Sequence, residues 1–118
     1  MIGYLLNLIV NMDIEKLHNK KIDILGTTYT IKIVDEIKGD NEDSYKYGET
    51  DHAEYIIRIA KTAYSIKLPN NQMEITFLHE LMHAICSSGC YLSYNDDEQF
   101  VEWTARCLYK LIKSGLFK

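Results

Sequence analysis

The sequence predicts an α+β domain in which two helices pack on one face of a small β-sheet of about three strands. Period-two alternation of apolar and polar residues runs through the first half of the chain, and helical spacing replaces it in the second half. Pro69, the only proline, separates the two regimes. Strands first and helices afterwards is the order of domains whose helices are segregated to one side of a sheet. With 118 residues, the chain has room for one domain and one modest core.

Residues 1–20 read as an N-terminal extension or short helix, and 21–118 as the single domain. Met1–Met12 is apolar but lacks a basic leading segment and a small-x-small cleavage site, so it does not read as a signal peptide. It is expected to be a short amphipathic helix docked on the domain, or a translated leader before a start at Met12. Ile14 to His18 extends a short first helix. Ile22 and Ile24 alternate with Lys21 and Asp23, Gly26-Thr27 supplies a turn, and Tyr29, Ile31 and Ile33 alternate again. Residues 21–34 are therefore a hairpin. Residues 35–51 are polar and acidic with two glycines, which predicts a surface loop. Tyr55–Ile59 is rich in β-branched residues and forms the third strand. Tyr64, Ile66 and Leu68 alternate once more before Pro69.

The first C-terminal helix opens on a capping-box-like Asn71 and Glu74 and stops at Gly89. Ile75, Leu78, Met82 and Ile85 recur along it at helical spacing. The second helix starts near Asn95 and stops at Gly115, with an apolar stripe of Val101, Ala105, Leu108 and Ile112.

Composition narrows the function classes. Thirteen basic against seventeen acidic residues leave a net charge of −4, which argues against direct binding of nucleic acid. No apolar run reaches the roughly 18–20 residues that cross a bilayer, so no membrane association is expected. Three cysteines (Cys86, Cys90, Cys107) cannot all pair within one chain, and that sparse count fits a reducing, cytoplasmic setting. Cys86 and Cys90 stand one helical turn apart, but buried small hydrophobes are the better reading than a two-thiol site.

The chemistry lies in His79-Glu80-Leu81-Met82-His83, an HExxH in an apolar helix. One turn is about 3.6 residues, so the two imidazoles project from one face and can share a Zn²⁺. Glu80 lies beside the first of them. It can take a proton from a water that the ion activates, as general base for attack on a peptide carbonyl. Two histidines and a glutamate are costly in such an apolar run unless they are paired or ligate a metal.

A catalytic zinc needs a third protein ligand and an open position. Cys86 and Gly89 stand where the extended HExxHxxGxxH pattern has its glycine and third histidine, so the ligand is sought on the next helix. Glu98 and Glu102 flank its apolar stripe one turn apart. Glu98 is preferred as the ligand, with Glu102 behind it accepting a histidine N–H, and Glu102 is the alternative third ligand. With Asn95 as N-cap, Glu98 has a competing reading as the glutamate of a capping box.

The segment Ile75-Thr76-Phe77-Leu78-His79-Glu80-Leu81-Met82-His83-Ala84-Ile85, followed by Asp97-Glu98-x-x-Val101-Glu102-Trp103-x-Ala105, resembles small phage- and prophage-encoded zincin-like proteins related to the ImmA/IrrE-like metallopeptidases. Tyr47-Gly48-x-Thr50 followed by Ile56-Ile57-x-Ile59 resembles the same group, in which a strand precedes the active-site helix. The resemblance spans roughly residues 22–112 and implies a minimal gluzincin-like fold. It implies Zn²⁺ on His79, His83 and a glutamate, with Glu80 as general base in a zinc metallopeptidase. A repressor-like regulatory protein of a mobile element is implied as substrate by kinship only. The alternative is a zinc-stabilised protein-binding module without turnover.

In such proteins the strand before the active helix binds the peptide by β-augmentation, which here points to Tyr55–Ala60; a purely structural edge strand is the equal alternative. His52 can stabilise an oxyanion or bind a further metal, but a solvated loop histidine is the expectation. His18 is expected at the surface. Tyr91 and Tyr94 are expected to pack under the turn between the helices, and Trp103 to lie in the core or between helices. Asp40, Glu42 and Asp43 form a solvated acidic loop.

Overall fold

The computed structural model describes residues 13–89 and 97–114. It starts with a 3-10 turn, Ile14–Leu17, capped by the Asp13 carboxylate, which accepts the Glu15 N–H. Ile14 and Leu17 are buried, so this part of the extension belongs to the core of the domain. The readings of Met1–Met12, Cys90, Tyr91, Tyr94 and Asn95 fall outside the described residues.

β1 (Lys21–Ile24) and β2 (Thr27–Val34) form the expected antiparallel hairpin. Its two-residue turn is Leu25-Gly26, with positive φ at both residues, and Gly26 meets that requirement without a Cβ penalty. Asp23 accepts the Gly26 N–H at 2.8 Å and closes the turn.

Residues 35–51 are not simply a loop. They hold β3 (Ile37–Lys38), which pairs with β4 (Tyr45–Lys46), and then β5 (Gly48–Asp51). β6 (Ile56–Ala60) runs parallel to β2 and antiparallel to β5. The main sheet thus has four strands, in the order β1-β2-β6-β5, rather than three. β5 escapes a hydrophobicity reading because its helix-facing positions are Gly48 and Thr50, not large apolar residues. β6, expected as a possible edge, lies inside the sheet. A small ladder of β7 (Thr62–Ala63) and β8 (Ile66–Lys67) leads to Pro69.

The inner face of the sheet carries Ile22, Ile24, Tyr29, Ile31, Ile33, Ile57 and Ile59, all buried. Against it packs α1 (Asn70–Ser88), whose Phe77, Leu78, Leu81 and Ala84 are also buried. α1 begins on Pro69 with no side-chain cap, so the Asn71–Glu74 capping box does not form. Glu74 is instead buried, with Oε2 2.7 Å from Lys113 Nζ. Gly89 ends α1 as expected.

α2 (Glu98–Lys113) lies against α1 through Val101, Ala105 and Ile112, with Leu108 partly buried. Its N-cap is Asp97, whose carboxylate accepts the Phe100 N–H at 3.0 Å. The capping role foreseen for Glu98 is therefore ruled out: Glu98 is the first helical residue and its carboxylate is free for other work. Trp103 is 69% exposed on the outer face of α2, not in the core. Among the described residues no helix is long and apolar enough to cross a membrane.

Candidate metal centre

His79 and His83 project from one face of α1 toward the start of α2, with ring centroids 5.0 Å apart. The Glu98 carboxylate spans them. Its Oε2 is 3.1 Å from His79 Nε2, and its Oε1 is 3.0 Å from His83 Nε2. The three residues could hold a metal ion: one donor atom from each lies within 4.8 Å of the others. Among the described residues no other group of three His, Cys, Asp or Glu side chains converges in this way. The spacing can be tested against an ion. With bonds of about 2.0–2.2 Å, neighbouring corners of a tetrahedron stand about 3.4 Å apart. The observed 3.0–3.1 Å contacts run to different oxygens of Glu98, so both nitrogens and a single oxygen would draw together around an ion.

Glu102, one turn beyond Glu98, is placed behind the cluster. Its Oε2 is 3.5 Å from His79 Nδ1, and its Oε1 is 3.1 Å from Arg106 Nε. With an ion on Nε2 in place of the present 3.1 Å contact to Glu98, the Glu102 carboxylate would favour the tautomer protonated on Nδ1. The two glutamates thus sit on opposite nitrogens of the same imidazole. Neither described thiol joins the cluster: Cys86 is buried, which pushes its thiol pKa up, and Cys107 is exposed on α2.

The wall opposite α2 is β5. A Cβ on Gly48 would lie 2.6 Å from Thr76 Cγ2 and 3.0 Å from Glu80 Cγ, so only glycine lets the strand lie this close to α1. The approach delivers the Thr50 hydroxyl to Glu80, 2.8 Å from Oε1 and 3.0 Å from the main-chain oxygen of the same residue. Glu80 is 7% exposed. Burial raises its pKa above the usual carboxylate range, against the opposing pull of Thr50, His79 and His83.

The Ala60 N–H donates to the Tyr47 carbonyl at 2.9 Å. By the alternation of an antiparallel ladder, Glu49 and Asp51 also turn their main-chain groups toward β6. Gly48 and Thr50 therefore turn theirs away from the sheet. The Arg58 guanidinium braces the far face of the strand, 3.0 Å from Glu49 and 3.7 Å from Asp51.

A cleft of about 460 Å³ lies between β5 and the helices, lined among others by Gly48, Thr50, His52, His79, Glu80, His83 and Glu98. A smaller hollow continues along β5 past Tyr47, Gln72 and Thr76.

His52 is not the solvated loop residue expected. It follows β5 in the turn to β6, half-buried, and lines the cleft. Tyr29, 1% exposed on β2, places its hydroxyl 3.3 Å from His52 Nδ1. Burial and the nearby His83 lower the His52 pKa, while Asp51 opposes them. A sequence signal existed: Gly48, Thr50 and His52 fall on one face at period two. His18 is at the surface as expected, its Nδ1 accepting the Ile33 N–H at 3.0 Å. Asp40, Glu42 and Asp43 are exposed, with Asp40 3.5 Å from Lys46.

Comparison with protein-family models, curated proteins and solved structures returns no match for this chain.

Proposed function

We propose that the protein is a small zinc-dependent metallopeptidase of the zincin-like type that its HExxH segment resembles. One observation carries the reading: two imidazoles and a carboxylate converge, one donor atom of each within 4.8 Å of the others, with a buried glutamate next in sequence to the first imidazole. The donor set, two nitrogens and one carboxylate oxygen, is that of catalytic rather than closed structural zinc sites.

Bound there, zinc would polarise a peptide carbonyl and lower the pKa of a water at its open position. The chain supplies the rest. His79, His83 and Glu98 hold the ion, and Glu102 orients His79. Glu80, positioned by Thr50, accepts the proton of the attacking water and returns it to the leaving amine nitrogen. The outward main-chain groups of Gly48 and Thr50 offer an extended peptide a strand to pair with, directly over the cleft. That role passes to β5 from Tyr55–Ala60, since β6 is flanked on both sides. A four-stranded sheet with an antiparallel edge strand beside the HExxH helix suits a minimal zincin-like fold. The resemblance extends the proposal to a cytoplasmic, mobile-element protein acting on a repressor-like regulator.

Metal analysis of protein purified with zinc present is expected to give about one zinc per chain, lost in His79→Ala and His83→Ala. Glu80→Gln should keep the zinc and the fold while abolishing cleavage of a partner protein. Wild-type protein without zinc would refute the proposal. A partner-dependent phenotype that survives Glu80→Gln would replace catalysis with the binding-module reading.

A further inference from the structure

His52 is the one imidazole in the cleft that the metal triangle does not use, and the fold holds it there deliberately. Asp51 accepts the Ala53 and Glu54 N–H groups at 3.0 and 2.9 Å, which fixes the turn that carries His52. The Tyr29 ring stands edge-on to the His52 ring, at 6.5 Å between centroids and 89° between planes. The Tyr55 ring braces Tyr29 from another side at 5.6 Å. A histidine that served only to fill space would not need a buried phenol at its Nδ1.

The direction of the hydrogen bond would set the tautomer. The Tyr29 hydroxyl is buried, and His52 Nδ1 is the acceptor within its reach. If the phenol donates to Nδ1, the imidazole proton resides on Nε2. Nε2 is then the ring's remaining polar atom and an N–H donor, on a residue that lines the same cleft as His79, Glu80, His83 and Glu98.

We infer that His52 is a catalytic residue whose Nε2–H, aimed by Tyr29, donates to the substrate carbonyl oxygen as that oxygen gains negative charge. The inference rests on the metallopeptidase reading and deepens it. As the water oxygen bonds to the carbonyl carbon, the electron pair of the C=O π bond moves onto the oxygen, and His52 hydrogen-bonds to it without giving up its proton. Glu80 takes the water proton and passes it to the amine nitrogen as the C–N bond breaks, so atoms and charges balance. A preorganised donor of this kind acts on the transition state more than on the bound substrate.

The test uses acetohydroxamate, a small chelator whose carbonyl oxygen takes the place of the substrate's, so no natural substrate is needed. Zinc content is measured first, and its absence from wild-type protein would sink the parent reading alone. In zinc-loaded protein, His52→Ala is expected to bind acetohydroxamate about tenfold more weakly at unchanged zinc stoichiometry, with a lower unfolding temperature because the buried Tyr29 hydroxyl loses its partner. His52→Gln, which restores an N–H donor, should recover part of that loss, and Tyr29→Phe should weaken binding a few-fold. Undiminished hydroxamate affinity in His52→Ala overturns the inference. Zinc loss in His52→Ala and His52→Gln also overturns it, by making His52 a ligand. Zinc-loaded wild-type protein that fails to bind acetohydroxamate removes the open position on which both readings depend.

Discussion

Replacing Gly48 with alanine tests whether β5 truly rests on the HExxH helix. Gly48 has an ordinary strand φ, so alanine meets no backbone penalty there, and the cost comes from contact alone. The new methyl would meet Thr76 Cγ2 at 2.6 Å and the Arg58 carbonyl oxygen at 3.1 Å. Thr76 is buried and its hydroxyl accepts from Gln72 Nε2 at 3.2 Å, so turning its methyl aside would break that bond. The edge strand must therefore retreat by about 1 Å to regain ordinary contact near 3.5–4.0 Å. That retreat takes the Thr50–Glu80 bond from 2.8 Å beyond hydrogen-bonding range. Overpacking costs about 1–3 kcal/mol and the lost bond about 1 kcal/mol, while the stiffer unfolded chain returns about 0.5–1 kcal/mol. The net expectation is about 1–3 kcal/mol, a fall in Tm of roughly 4–10 °C for a domain of this size. Urea unfolding measures it directly. Because every proposed ligand lies on α1 or α2, zinc affinity should stay within about threefold of wild type. Wild-type stability in Gly48→Ala would refute the close packing of β5 on α1, and with it the positioning of Glu80.

The two glutamates should separate by competition titration with a chromogenic chelator. Glu98→Ala is expected to cost more than about a hundredfold in zinc affinity and Glu102→Ala about 10–100-fold, and the reverse order would exchange their roles. Lys113→Met leaves the buried Glu74 carboxylate without its cation. With Lys113 36% exposed, the expected loss is about 1–2 kcal/mol by urea unfolding, recovered when Glu74→Gln is added to the same chain. No recovery in the double variant would mean that Lys113 acts through packing, not charge.

The parts of the fold governed by apolar periodicity were legible in the sequence. The 21–34 hairpin and the buried stripe of α2 follow directly from alternating and helical spacing. His79 and His83 share a face because helix geometry makes them. Features governed by close approach were not legible. β5 reads as loop because the position that presses hardest on α1 is a glycine, and a missing side chain leaves no hydrophobic trace. His52 was masked by the same misreading: once 48–51 is taken as loop, the alternation that carries His52 into the cleft disappears. Asn95 and Asp97 are both competent N-caps by residue type, and Asp97 caps α2. Only tertiary structure chooses between them, and that choice frees Glu98 to face the histidines. Trp103 reads as a core or interhelix residue, yet it stands next to the buried stripe and not on it.

The proposed ligands belong to two segments: His79 and His83 near the middle of α1, and Glu98 at the very start of α2. An ion held by all three would tie the ends of a loop of 98 − 83 = 15 residues. A covalent tie closing a loop of that length lowers unfolded-chain entropy by about 3 kcal/mol. The metal would therefore be a removable staple as well as a Lewis acid. Zinc supply would then set the lifetime of the chain against proteases as well as its chemistry, and a starved cell would lose the protein together with the activity.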